Sequence, residues 1–209
     1  ILLIQNKALE LSLFLSIPAS VALIVGSEYI ISALFGYGSF NEIAVQNSSK
    51  ALYFFALGLP AFSLIKIFSS FFFANHNTKT PFYISLLSVI LNIVISVYYF
   101  KEIGFIIIPI ATSISSWING ILLFVFLKKD NLFTFNKIFI FRFIKIIFTS
   151  VFMGILFSFL LIYFKDQLAF DQNMKSFYLM LSVVLGLLFY LIVSYWIKAF
   201  KISDFKLNY

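Results

Sequence analysis

The stretch "GLPAFSLIKIFSSFFFANHNTKTP", residues 58–81, decides how this chain is expected to fold. Its first part is an apolar run that ends at Ala74, with a single charged residue inside it, Lys66. Its second part, "ANHNTKTP", is a tight turn of polar residues in which Thr78, Lys79, Thr80 and Pro81 lead into the next helix. Proline is favoured in the first turn of a helix. The stretch therefore predicts an apolar helix, a sharp turn and a second helix.

The composition of the whole chain extends this expectation to a membrane protein. Of the 209 residues, 62% are hydrophobic and 11% are charged, whereas soluble domains have about 45–50% and about 25%. So much apolar surface requires lipid as the solvent, and a span needs roughly 20 apolar residues. Continuous runs, unlike alternating ones, favour helices over barrel strands. The sequence predicts an all-α membrane protein with six spans: Leu11–Phe35, Ala51–Ala74, Phe82–Phe100, Phe105–Leu127, Phe141–Phe164 and Phe177–Ile197.

The basic residues between the spans predict an orientation. Ten of them fall on one side and four on the other, with Lys66 between, and the richer side of a membrane protein is cytoplasmic. Both termini are therefore expected in the cytoplasm. The larger group is Lys7, Lys79, Lys128, Lys129, Lys137, Arg142, Lys145, Lys198, Lys201 and Lys206, and the smaller is Lys50, Lys101, Lys165 and Lys175. Because the net charge of +7 is dispersed in this way, it indicates membrane topology and not nucleic-acid binding.

Residue usage excludes most kinds of catalytic site. The chain has no cysteine and one histidine, His76, which excludes disulfides, thiolate metal sites and paired-histidine metal sites. No carboxylate pair lies within a span, and no phosphate-binding loop or nucleophile motif occurs. The sequence predicts a protein that is not an enzyme and that needs no metal or organic cofactor.

Among the polar residues within the spans, Lys66 is expected to have the highest free energy of membrane insertion. A lysine at the centre of a membrane helix raises that free energy by about 2.5–3.5 kcal/mol or more. Eight residues separate it from Ala74, roughly 12 Å along a helix. Either its long stem carries the ammonium to the interface, or it faces a water-filled cavity and holds an anion. The second interpretation is favoured because intramembrane charges generally mark substrate paths.

Other residues within the spans have two interpretations each. Pro18, and Pro60 with Gly58, mark either packing kinks or hinges beside a cavity. Asn92 and Ser96 share a face of the third span, and Thr112 lies on the fourth. These oxygens explain interhelical hydrogen bonds or, less simply, a weak cation site. Trp117 is expected to pack within its span.

Four segments resemble one transporter family. They are "SLFLSIPASVALIVGSEYIISALFGYGSF", "ALYFFALGLPAFSLIKIFSSFFFANHNTKTPF", "LNIVIS" and "IGFIIIPIATSISSWINGILL". In this order they resemble the MurJ/MviN family of lipid II flippases, within the multidrug/oligosaccharidyl-lipid/polysaccharide exporter superfamily. The most specific part keeps Gly58, Pro60, Lys66 and residues 78–81 in register. The later spans match only in position and hydropathy.

The resemblance implies a fold and a function. Family members have about fourteen helices in two lobes that alternate in access, plus a terminal pair. Residues 1–128 would be four helices of the second lobe and residues 129–209 the terminal pair, with no soluble domain. The implied function is to move an undecaprenyl-pyrophosphate-linked peptidoglycan precursor across the bacterial inner membrane, with an N-terminal lobe as partner, Lys66 in the cavity and the polyprenyl tail in membrane lipid.

The resemblance also leaves choices open. Asn92 and Thr112 resemble positions where some members bind sodium, but Ser96 replaces a carboxylate, so coupling to a monovalent cation or to the membrane potential is implied without a choice. Tyr37 replaces a basic residue and Asn77 an acidic one. The alternatives are an exporter of other lipid-linked oligosaccharides or of drugs, and a truncated membrane module that does not transport.

Overall fold

A computed structural model describes residues 2–199 of the chain, and the regular secondary structure of these residues is helical throughout. A short 3₁₀ turn, Gly104–Ile106, joins the third helix to the fourth. Within these residues the α-helices are α1 (Leu2–Phe35), α2 (Glu42–Ala74), α3 (Lys79–Ile103), α4 (Ile107–Lys129), α5 (Lys137–Tyr163) and α6 (Lys175–Trp196). Each of the six predicted spans overlaps one of them.

Five stretches of the described chain are long and apolar enough to cross a membrane. The third, Lys79–Lys129, contains α3, the 3₁₀ turn and α4. Its 51 residues would make one helix of about 77 Å, far more than the ~30 Å hydrocarbon core. The lengths and compositions confirm an all-α protein that passes the membrane several times.

Two helices begin well before the predicted apolar runs. Helix α1 starts at Leu2 and not at Leu11, and α2 starts at Glu42 and not at Ala51. Hydropathy locates only the part of a helix that meets hydrocarbon, whereas the 33 residues of α2 extend about 50 Å. The predicted spans therefore leave out residues 2–10 of α1 and 42–50 of α2, which are helical although they include polar side chains.

The chain divides into two compact units that share three helices. Unit 1 is Ile1–Ser16 with Leu57–Phe141, and unit 2 is Ile17–Ala56 with Arg142–Tyr209. The boundaries fall inside α1, α2 and α5, close to Pro18 and Pro60. The functional division at residue 128, into lobe and terminal pair, remains a prediction.

The predicted turn after α2 is closed by a left-handed residue. His76 has φ +56°, and its amide donates to Phe73 O at 3.0 Å. The amide of Asn77 donates to Phe72 O at 3.0 Å. These two bonds form a Schellman motif, which satisfies carbonyls that the end of a helix leaves free. Helix α2 therefore ends at Ala74 as the sequence predicts.

The same turn starts α3. Asn77 Oδ1 accepts the amide of Thr80 at 3.1 Å, and Asn77 Nδ2 donates to Thr80 Oγ1 at 2.9 Å. Thr78 makes no side-chain capping bond, α3 begins at Lys79, and Pro81 lies buried in its first turn. The side chain of Asn77 is thus the cap of α3.

The segment between α4 and α5 is anchored in unit 1. Phe133 is 1% exposed, and its ring stacks on Phe71 with 5.6 Å between centroids. Asn6 of α1 donates from Nδ2 to Thr134 O at 3.0 Å and accepts the Asn136 amide at 3.1 Å. This loop is therefore held by aromatic packing and by one asparagine that bonds its backbone twice.

Candidate functional site

Lys66 lies on a face of α2 that unit 1 leaves open. Its side chain is exposed, as are those of Phe62 and Ser70, which stand one turn before and one turn after it. No hydrogen bond or ion pair of Lys66 is formed with any residue in the range 2–199. The charge is thus available to a group outside this packed unit, and its role in a substrate cavity remains a prediction.

The helix turn before Pro60 is closed by side chains from other helices. Proline has no amide hydrogen, so the Ala56 carbonyl one turn earlier loses its helical donor. Ser20 Oγ of α1 donates to that carbonyl at 2.6 Å. On the next carbonyl, Leu57 O, the indole Nε1 of Trp117 donates at 3.0 Å. Ser20 therefore satisfies the carbonyl that Pro60 leaves without a donor, as membrane helices require. Trp117 is more than a packing residue, because its indole is an additional donor to the same turn.

Gly58 allows α2 and α4 to approach closely. A Cβ atom at this position would lie 2.8 Å from Ser113 Oγ and 3.2 Å from Ser113 Cα. This contact gives Gly58 a role in helix packing, independent of any bend of α2 at this position. Pro18 lies inside the continuous helix α1, and the hinge role assigned to Pro18, Gly58 and Pro60 remains a prediction.

A cavity of 350 Å³ lies among α2, α3 and α4. Asn92 Nδ2 donates to Thr112 Oγ1 at 3.0 Å and approaches Ser115 Oγ at 3.4 Å, so the predicted pair of α3 and α4 residues does meet. This contact also shows that the two helices fold back on each other. The lining is Phe62, Ile65, Ser85, Ser88, Val89, Asn92, Thr112, Ser115, Ser116 and Asn119.

The cavity contains unsatisfied oxygens but no charged side chain among its lining residues. Ser88 Oγ and Asn119 Oδ1 are buried without a hydrogen-bond partner. Ser96 does not line the cavity, and its buried hydroxyl is also without a partner. The structure thus brings Asn92 and Thr112 together without Ser96. Ser85 and Ser88 were missed, although their spacing to Asn92 places all three on one face of α3.

A second lysine, Lys175, was counted in the sequence only as a flanking charge. It is 1% exposed, and its Nζ donates to Gly36 O at 2.6 Å and to Phe170 O at 2.7 Å. The same Nζ lies 4.2 Å from the ring centroid of Tyr37 and 4.6 Å from that of Phe170. This buried cation ties three segments of unit 2 together, through contacts up to 139 residues apart that no local pattern indicates.

Comparison with known proteins places the chain in a family. Residues 1–171 match the family model described as lipid II flippase MurJ. Similar curated proteins are the probable lipid II flippases MurJ of Rickettsia prowazekii, 38% identical over 61% of this chain and 25% of the relative, and of Thermotoga maritima, 34% identical over 93% and 37%.

A solved structure extends the similarity to the fold. The chain superimposes on "Lipid II flippase MurJ, inward closed conformation" with a TM-score of 0.76 at 30% identity. The match covers 93% of this chain and 38% of that one. The chain thus spans well under half the length of these relatives, while nearly all of it is matched. It belongs to the MurJ family of lipid II flippases.

Proposed function

We propose that this chain is the C-terminal part of a lipid II flippase of the bacterial inner membrane. In this proposal residues 1–128 supply four helices of the second lobe, and residues 129–209 supply the terminal pair. The substrate is the undecaprenyl-pyrophosphate-linked peptidoglycan precursor, and its polyprenyl tail stays in membrane lipid. The observation that carries the proposal is the fold match over 93% of the chain to a solved MurJ flippase.

The proposed topology has six crossings with both termini in the cytoplasm. The bond from Asn92 to Thr112 supports two crossings within Lys79–Lys129, because it requires α3 and α4 to run side by side. The ten-to-four distribution of basic residues supports the orientation, although Lys201 and Lys206 lie outside the described residues. A tag inserted after Asn131 is expected to be accessible only from the cytoplasmic side.

Transport in this proposal proceeds by alternating access between this lobe and an N-terminal lobe. Lys66 supports the idea because it is exposed and unpaired within residues 2–199. A lysine against lipid would cost at least about 2.5 kcal/mol, so its open face of α2 is better placed towards a hydrated cavity shared with the other lobe. There the ammonium stabilises the pyrophosphate as a point charge.

In this proposal transport is driven by one of two sources of energy. One is the gradient of a monovalent cation that binds beside Asn92 and Thr112, and the other is the membrane potential alone. Amide and hydroxyl oxygens suit a weakly held cation. Two features favour the potential: the Asn92 amide already donates to Thr112 Oγ1, and no carboxylate is among the lining residues of the cavity. A transport rate that is unchanged when sodium is replaced by choline would support coupling without a cation.

The test uses the full-length protein in reconstituted vesicles, with lipid II flipping as the readout. Lys66→Ala is expected to reduce flipping strongly while insertion and thermal stability stay normal, and Lys66→Arg to retain part of the rate because the charge is kept. Lys101→Ala is the matched control, since Lys101 is equally exposed at the end of α3. Flipping of Lys66→Ala at the Lys101→Ala rate would contradict the role of Lys66.

A further inference from the structure

One end of unit 2 carries two adjoining cavities that are lined by charges of both signs. Their volumes are 290 Å³ and 580 Å³, and Glu28 and Gln46 line both. The smaller is also lined by Glu42 and Lys165, and the larger by Lys50. Unlike the cavity of unit 1, which has no charged lining residue, these two cavities are lined between them by two carboxylates and two ammonium groups.

These four charges have no partner among residues 2–199. Within residues 2–199 none of them takes part in an ion pair or a side-chain hydrogen bond, and all four are exposed. Glu42 opens α2, where the helix dipole favours a carboxylate. Glu28 and Lys50 have no such explanation, since they lie about 10 Å and 12 Å from the ends of their helices at Phe35 and Glu42. These exposed charges are therefore open to water or to a ligand.

The wall of the smaller cavity is held in place by the buried Lys175. Phe170 and Ser32 line that cavity. The Phe170 carbonyl accepts from Lys175 Nζ at 2.7 Å, and the Ser32 carbonyl accepts the Gly36 amide at 2.9 Å. Because Lys175 Nζ also holds the Gly36 carbonyl at 2.6 Å, the wall has a defined shape. Preformed cavities of about 300–1,000 Å³ are the usual size for small-ligand sites.

We infer that these adjoining cavities bind a zwitterionic head group, with its ammonium beside Glu28 and Glu42 of the smaller cavity, and with anionic groups beside Lys165 of the smaller cavity and Lys50 of the larger. Equal numbers of the two charges, unpaired in the protein, complement a ligand that carries both. The inference rests on the proposed function for one point only, the identity of the molecule that carries the head group. Under that function it is the transported lipid with its peptide-bearing head group. The other molecule with the same charges is phosphatidylethanolamine.

The test measures protection of lysines in the full-length protein, held in nanodiscs of phosphatidylglycerol. A water-soluble acylating reagent modifies exposed amines, and mass spectrometry gives the rates at Lys50 and Lys165 relative to Lys101. The probe is the peptide Ala-Glu-Lys-Ala-Ala, with a capped, uncharged alanine pentapeptide as its control. A separate arm adds phosphatidylethanolamine to the nanodiscs without peptide.

The charged peptide is expected to slow labelling of Lys50 and Lys165 but not of Lys101. Glu28→Gln should weaken the apparent affinity of the peptide by about threefold, the size of one exposed ion pair. Glu102→Gln, an exposed acid beside Lys101 at the end of α3, should leave it unchanged. Protection in the phosphatidylethanolamine arm alone would support the site and assign it to a lipid head group.

Two results would overturn the inference: equal protection by the uncharged peptide, or no protection in either arm. Neither depends on flipping, so they are distinguishable from a failure of the proposed function. If Lys66→Ala flips normally while Lys50 and Lys165 are protected, the head-group site stands and the proposed role of Lys66 falls.

Discussion

The ammonium groups of Lys66 and Lys175 have opposite surroundings. Lys66 stands in an apolar stretch of α2, exposed and without a partner in residues 2–199. Lys175 begins α6, 1% exposed, with two carbonyls and two aromatic rings around its ammonium. The lysine that looks costly in sequence is free in the structure, and the lysine that looks ordinary is fully buried. The cost of a charge therefore depends on its partners in space and not on its neighbours in sequence.

The largest effect is expected where the buried charge is removed. Lys175→Met keeps most of the volume but leaves the Gly36 and Phe170 carbonyls without their donor. Because each buried unsatisfied group costs about 1–3 kcal/mol, a loss of about 3 kcal/mol in the free energy of unfolding is expected. Denaturant titration of the full-length protein in detergent measures it, with Lys101→Met as the control. Equal stability of the two variants would show that Lys175 is not a structural residue.

The region around Lys66 should instead be sensitive to added volume. Gly58→Ala places a methyl group 2.8 Å from Ser113 Oγ, and overpacking of this kind costs about 1–3 kcal/mol. Gly120→Ala is the matched control, because its Cβ would meet neighbours only at 3.8–3.9 Å and alanine favours a helix by up to about 1 kcal/mol. Thermal unfolding should show the first variant below the parent and the second level with it or above. The same sign for both would contradict the close approach.

A smaller effect is expected at the turn that ends the Lys66 stretch. Asn77→Ala removes the acceptor for the Thr80 amide, and loss of an N-cap side chain costs about 1 kcal/mol. Thr78→Ala should change the free energy of unfolding much less, since Thr78 makes no capping bond. Equal losses of unfolding free energy in the two variants would contradict the assignment of Asn77 as the cap.

The sequence predicted the features that depend on local patterns. Apolar runs located the membrane helices, and "NHNTKTP" located the turn with Pro81 in the first turn of α3. Helical spacing placed Asn92 and Ser96 on one face of α3, whereas the pairing of Asn92 with Thr112 was implied by the family resemblance. The early starts of α1 and α2 were missed because residues 5–10 and 46–50 include several polar side chains, and hydropathy records only contact with hydrocarbon.

Long-range contacts account for what the sequence did not indicate. Ser20 donates to the Ala56 carbonyl in the turn before Pro60, and the two residues are 36 positions apart. Lys175 donates to the Gly36 carbonyl, 139 positions away. Neither partner is marked by a motif, because serine and lysine are common at such positions. The charged cavities of unit 2 were hidden for the same reason: their four charges come from three separate segments.

The central claim is that Lys66 is free in hydrated space whereas Lys175 is sequestered by the protein. The most direct measurement is the labelling rate of each amine by a water-soluble acylating reagent, in the folded full-length protein in nanodiscs. Lys66 is expected to be modified at a rate close to that of Lys101, and Lys175 only after denaturation. If Lys66 is not modified, its side chain lies in lipid and not in water. If Lys175 is modified as fast as Lys101, its ammonium is not buried.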